Sequence, residues 1–105
     1  MVHALESLQE FTDLIASGKK VLIDYTATWC GPCKFISPLF VKHSEEHPDI
    51  VFVKVDVDAV PEISQEVGIR AMPTFHAYHN KEKVDEVVGA DTTKLQQLIN
   101  NLAAM

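Results

Sequence analysis

Val21-Leu22-Ile23-Asp24-Tyr25-Thr26-Ala27-Thr28-Trp29-Cys30-Gly31-Pro32-Cys33-Lys34 runs from an apolar stretch into two cysteines at the start of a helical pattern. Val21 to Thr26 predicts a buried-type strand, being rich in β-branched and large apolar residues. A helix is expected to begin near Cys30 to Pro32, because proline is favoured in a first helical turn. It should reach about His47, with a kink at the internal Pro38. Cysteines three apart at a helix start share one face and can bridge without backbone rearrangement.

The same alternation continues on both sides. Val2 to Leu5 predicts a short first strand. Ser7-Leu8-Gln9-Glu10 has the form of a capping box, with Leu8, Phe11, Leu14 and Ile15 behind it and Gly18 as a stop. Ile50 to Val57 is strongly β-branched and long enough for a central strand. Pro61 to Val67 predicts a short helix ended by Gly68. Thr74 to Tyr78 and Lys83 to Val88 flank the polar turn His79 to Glu82 as an antiparallel hairpin. A last helix follows Asp91, with Leu95, Leu98, Ile99 and Leu102 on one face. The order β-α-β-α-β-α-β-β-α predicts an α/β sandwich, with parallel crossovers first and an antiparallel hairpin last.

The 105 residues suffice for one domain, residues 1–105, with a core that needs no staple. A bridge between Cys30 and Cys33 closes too small a loop to constrain the unfolded chain much, so a structural role is poorly served. Met1 to Glu6 lacks the basic start and apolar centre of a signal peptide, and no run approaches membrane-spanning length. The expected compartment is therefore cytoplasmic and reducing, where such a pair is catalytic or metal-binding. A net charge of −6, with Arg70 the one arginine, speaks against nucleic acid or an anionic membrane as partner.

Zinc would want four ligands. No second cysteine pair exists, and His43 and His47 lie too far along the same helix to converge on Cys30. Redox chemistry fits better. A thiol at a helix N-terminus faces unpaired N–H groups and the positive end of the dipole, which favour the attacking thiolate. Cys30 has that place. Cys33, one turn further in, should be less exposed and suits the resolving role.

Asp24 interrupts an apolar run. It is either a buried proton acceptor for the second cysteine or a residue of a half-exposed strand. Lys54, in the next long strand, is either its partner or a lysine reaching solvent. Met72-Pro73 precedes a strand, and its isomer is open from sequence. Phe35, Phe40, Phe52 and Phe75 are expected in the core, His43 and His47 on an exposed helix face, and Trp29 as a lid beside an exposed cysteine.

With these residues in view, the chain resembles the thioredoxin family in its eukaryotic cytosolic form. Trp29 to Lys34 is that family's active-site motif. Asp24 in Val-Leu-Ile-Asp-Tyr and Lys54 fall at its buried acid and lysine partner. Ala71-Met72-Pro73-Thr74 resembles its cis-proline loop, and Val84 to Ala90 its last strand and glycine. The resemblance implies the thioredoxin fold, a five-stranded mixed sheet flanked by four helices. It implies a protein-disulfide reductase and electron carrier, with Cys30 as nucleophile, Cys33 as resolving thiol, and Asp24 as proton relay helped by Lys54 and a water.

The target would lie across Trp29, Gly31, Pro32, Val57, Ala71, Met72, Pro73, Val88, Gly89 and Ala90. No cofactor would be bound. Electrons would come from NADPH through the FAD of thioredoxin reductase. Peroxiredoxins, methionine sulfoxide reductase and ribonucleotide reductase are the partners that the resemblance suggests. Gly31-Pro32 between the cysteines matches the reducing branch of the superfamily. Two departures stand out: Thr26 occupies a position where bacterial members often carry Trp, and His79-Asn80-Lys81-Glu82 lacks the glycine common in that turn. The alternative of another class is a thioredoxin-fold binding subunit with idle cysteines.

Overall fold

The computed structural model describes residues 2–105. The elements are β1 (His3–Ala4), α1 (Leu8–Ala16), β2 (Val21–Thr26), α2 (Gly31–Glu46), β3 (Val51–Asp56), α3 (Pro61–Val67), β4 (Thr74–His79), β5 (Glu82–Val88) and α4 (Thr92–Ala103). This is the predicted order. The five strands lie as β1-β3-β2-β4-β5. β1 and β2 both run parallel to β3, while β4 is antiparallel to β2 and to β5.

Alternation along β2 divides the core. Val21, Ile23 and Tyr25 point to the layer holding Phe11 of α1 and Ile63 of α3. Leu22 points the other way, to Ile36 and Phe40 of α2 and Leu95 and Leu98 of α4. Because side chains alternate with period two, Asp24 must emerge on the α2 side, one pleat beyond Leu22. The central place of β2, with Val21 to Tyr25 all buried, leaves this carboxyl no route to open water along its own strand.

The helix ends follow local chemistry. Ser7 Oγ accepts the Glu10 N–H at 3.1 Å, half of the expected capping box. The Glu10 carboxylate accepts from Glu6 N–H at 2.8 Å instead of from Ser7, and its other oxygen lies 2.6 Å from His3 Nε2. Gly68, at φ 78°, ends α3 in the left-handed conformation that a side chain would disfavour. α2 is helical throughout, Pro38 included.

Two expectations on α2 are corrected. Phe35 is not core; it is 70% exposed. His43 is not on an exposed face; it is buried. The inner face is set by Cys33, Ile36, Phe40 and His43, spaced three or four apart. Phe35 lies about 160° round the helix from Cys33 and so faces outward. Burial holds the His43 imidazole below the ordinary histidine range, opposed by the Glu46 carboxylate 3.5 Å from Nδ1. Phe40, Phe52 and Phe75 are core, as expected.

The hairpin turn makes a prediction. Asn80 and Lys81 have φ of 54° and 74°, the two positive values of a type I′ loop. Asn tolerates this conformation; a lysine Cβ crowds the following carbonyl. Lys81→Gly is expected to raise stability by about 0.5–1 kcal/mol, the relief of strain less the entropy that glycine adds to the unfolded chain. Urea midpoints measure it, and an unchanged or lower midpoint would refute the strain.

Candidate active site

The loop after β2 delivers Cys30 to the start of α2. Cys30 is the N-cap, with extended backbone, and its Sγ accepts the Cys33 N–H at 3.2 Å. A cap atom in this position is held against unpaired helix N–H groups, so negative charge on it is favoured. Cys30 and Cys33 are joined as a disulfide with Cα atoms 5.3 Å apart.

The expectation of an exposed Cys30 is corrected. Cys30 is 5% exposed and Cys33 2%. The reason is tertiary: Ala27, Val57 and Met72 pack round the bridge, and the Met72 carbonyl oxygen lies 3.7 Å from Cys30 Sγ.

Opposite the sulfurs, the Met72–Pro73 bond is cis. Thr74 Oγ1 donates to the Ala71 carbonyl at 2.6 Å, and Gly89 N–H donates to the Pro73 carbonyl at 2.8 Å. The first bond closes the proline loop on itself, and the second ties it to the end of β5, which brings Val88 and Gly89 beside it. Ala90 instead turns toward the α2–α4 core.

Beside the sulfurs stands Trp29, exposed as expected. Its indole Nε1–H donates to Asp58 Oδ2 at 2.7 Å. Asp58 is in turn fixed by Asp56, whose Oδ1 accepts the N–H groups of Asp58 and Ala59 at 2.9 and 3.2 Å. Sequence reading missed Asp58. The available signal was Asp56-Val57-Asp58 at a strand end, where an aspartate readily caps its own turn.

Beneath the sulfurs, Asp24 is 3% exposed, and its Oδ1 is buried without a hydrogen-bond partner. The half-exposed strand is thereby excluded. Desolvation pushes its pKa up to about 7, against the pull of the Lys54 charge. Register places Asp24 directly opposite Lys54 on β3. Lys54 itself is exposed, so it reaches solvent while also lining a cavity of about 220 Å³ with Asp24, Cys33, Ser37 and Asp56. That volume has room for water between the carboxyl and the inner sulfur. A larger cavity of about 470 Å³, lined in part by Leu5, Leu14, Ile50 and Val53, touches neither sulfur.

Among the described residues no group of three or more His, Cys, Asp or Glu is arranged to hold a metal ion. The reactive groups are the two sulfurs. A disulfide at a helix start, a proline loop facing it and a buried acid beneath it define a thiol–disulfide oxidoreductase on an α/β sandwich.

The Thioredoxin family model matches residues 2–101, and the chain belongs to the thioredoxin family. It is 51% identical to thioredoxin of Coprinus comatus over 99% of this chain and 100% of that one. The crystal structure of Malassezia sympodialis thioredoxin superposes with a TM-score of 0.93 at 48% identity, covering 97% of this chain and 93% of that one. A further structure concerns thiol resolution in a yeast mitochondrial 1-Cys peroxiredoxin via the glutathione/thioredoxin systems. It matches with a TM-score of 0.91 at 39% identity, over 95% of this chain and 94% of that one. Members of the family carry out dithiol–disulfide exchange on oxidised proteins without a cofactor of their own, and this chain has the pair that does so.

Proposed function

We propose that the chain acts as one domain, residues 1–105, and reduces protein disulfides in a fixed order. Cys30 thiolate attacks one sulfur of the target bridge and the other leaves as thiolate. The new Cys30–target disulfide is then attacked by Cys33, which closes the Cys30–Cys33 bridge and releases the reduced target. Two electrons pass to the target and two protons leave the thiols. Asp24, as the carboxylate that the Lys54 charge favours, takes the Cys33 proton through water in their shared cavity and becomes the neutral acid.

The observation that carries this order is the Cys33 N–H donating to Cys30 Sγ. It stabilises charge on the outer sulfur only, while Cys33 adjoins the buried acid. Trp29, Pro32, Val57, Met72 and Val88 surround the bridge as an apolar docking surface, and the Ala71–Pro73 backbone offers polar contacts to an extended segment. Such a surface reads little sequence. NADPH, through the FAD of thioredoxin reductase, would return the chain to the dithiol. A peroxiredoxin fits the partner class, as the yeast neighbour suggests; methionine sulfoxide and ribonucleotide reductases fit on resemblance alone. No described helix is long and apolar enough to cross a membrane. We place the protein in the cytosol on its resemblance.

Equilibration with a glutathione redox buffer tests the direction of electron flow. The bridged form is expected to persist until reduced glutathione is in large excess, as for a couple more reducing than the glutathione pool. Conversion to the dithiol in a mildly reducing buffer would make the chain an oxidant or isomerase.

A further inference from the structure

From Pro32, which already borders the bridge, the outer side of α2 carries an apolar ridge whose further residues neither the fold nor the chemistry uses. Pro32, Phe35, Pro38 and Val41 follow one another at intervals of three, and all four are exposed. Phe35 is 70% exposed and Val41 40%. Residues three apart are surface neighbours on a helix and each step turns about 60°, so Phe35, Pro38 and Val41 share an outward face about 120° wide, with Pro32 at its active-site end. The row spans roughly 14 Å at 1.5 Å per residue.

Isolated exposed apolar residues are ordinary, but a contiguous row is not. The inner face of the same helix is already satisfied by Cys33, Ile36 and Phe40, so nothing in the fold calls for a second apolar face. Two details say what covers it. The ridge starts at Pro32, exposed between the two cysteines, so a protein whose disulfide bonds to Cys30 lies next to that end. Lys34 and Lys42 border the row, both exposed, and among the described residues neither has a carboxylate within ion-pair distance.

We infer that the Pro32–Phe35–Pro38–Val41 ridge is a second docking surface for oxidised protein substrates, taking an apolar patch with carboxylates at its rim beside the target disulfide. This rests on the docking role proposed for the residues around Cys30, and extends it down the helix. The ridge adds contact for a protein substrate that overlies α2. It adds nothing for a small disulfide, which touches only the sulfurs. It therefore raises affinity for proteins without changing the chemistry of exchange.

The test compares insulin, as protein disulfide, with 5,5′-dithiobis(2-nitrobenzoate), as small disulfide, under thioredoxin-type assay conditions. Phe35→Ser and Phe35→Ser/Val41→Ser are expected to raise KM for insulin roughly 3- to 10-fold with kcat unchanged. The rate with the small disulfide should stay at the wild-type value. Both positions are solvent-facing, and an unchanged urea midpoint verifies folding. A wild-type KM for insulin in the double variant overturns the inference. So does an equal loss with both substrates, which would place the effect at the sulfurs. So does a Phe35-dependent dimer in sedimentation equilibrium with KM unaltered, which would make the ridge a self-association face. Trp29→Ala separates the levels: a raised insulin KM there, with none in the Phe35 variants, sinks the ridge alone. No change in any variant sinks the docking surface around Cys30 as well.

Discussion

Cys33→Ser is expected to accumulate a stable mixed disulfide between Cys30 and its protein target, while Cys30→Ser forms none and falls to the uncatalysed background. The asymmetry follows from where the two sulfurs stand. Once the bridge is open, Cys30 Sγ keeps the Cys33 N–H and the helix N-terminus as stabilisers of its charge. Cys33 lies a turn inside the helix, sharing a cavity with an acid whose pKa burial raises to about 7. Removing Cys33 leaves attack intact and abolishes release; removing Cys30 abolishes attack. Mass spectrometry of the trapped species after proteolysis names the bonded cysteine, and trapping through Cys33 in the Cys30→Ser variant would reverse the order.

Asp24→Asn is expected to make the protein more stable and a poorer catalyst. In the unfolded chain an aspartate ionises at an ordinary 3.8; folded, Asp24 holds its proton up to about 7. Between these values the folded state binds a proton that the unfolded state has released. Wild-type stability from this group is therefore greatest on the acid side, falls as pH rises from about 4 to 7, and levels off above. At about pH 8 the penalty is on the order of 4 kcal/mol, taking about 1.4 kcal/mol for each pKa unit. Asparagine has no charge to bury. The variant should exceed wild type by several kcal/mol at about pH 8 and nearly match it at about pH 4, in urea unfolding of the oxidised protein. Its turnover at neutral pH should fall toward the loss of about 10²-fold expected when a positioned base is removed. Equal stability at both pH values would mean that Asp24 is not desolvated, and an unchanged rate would leave it no part in proton transfer.

The element order was legible because its signals are local. Pro32 near a helix start, Gly68 after Val67, Asp91 before Thr92, and the β-branched runs at 21–26 and 51–56 act through backbone sterics and capping bonds within a few residues. The site was legible to the same extent: the cysteine spacing and the helix N-terminus lie in one hexapeptide. Asp24 was legible only as a question. Its answer depends on β2 lying between β3 and β4, which no residue near Asp24 encodes. The positions of Phe35 and His43 depend on tertiary packing for a related reason. Residue type argues for Phe35 inside and His43 outside, whereas the angle at which α2 settles on the sheet puts Phe35 outside and His43 inside.

Covalent order and backbone preference are enough to place the two sulfurs, their spacing and the helix that starts at them. Tertiary structure alone decided that the Cys30–Cys33 bridge is covered by Val57 and Met72, that Asp58 holds Trp29, and that Asp24 shares a cavity with Cys33. Each of these joins residues from separate elements. Burial, and the electrostatics that burial controls, exists only once the sheet and its helices have closed around the site.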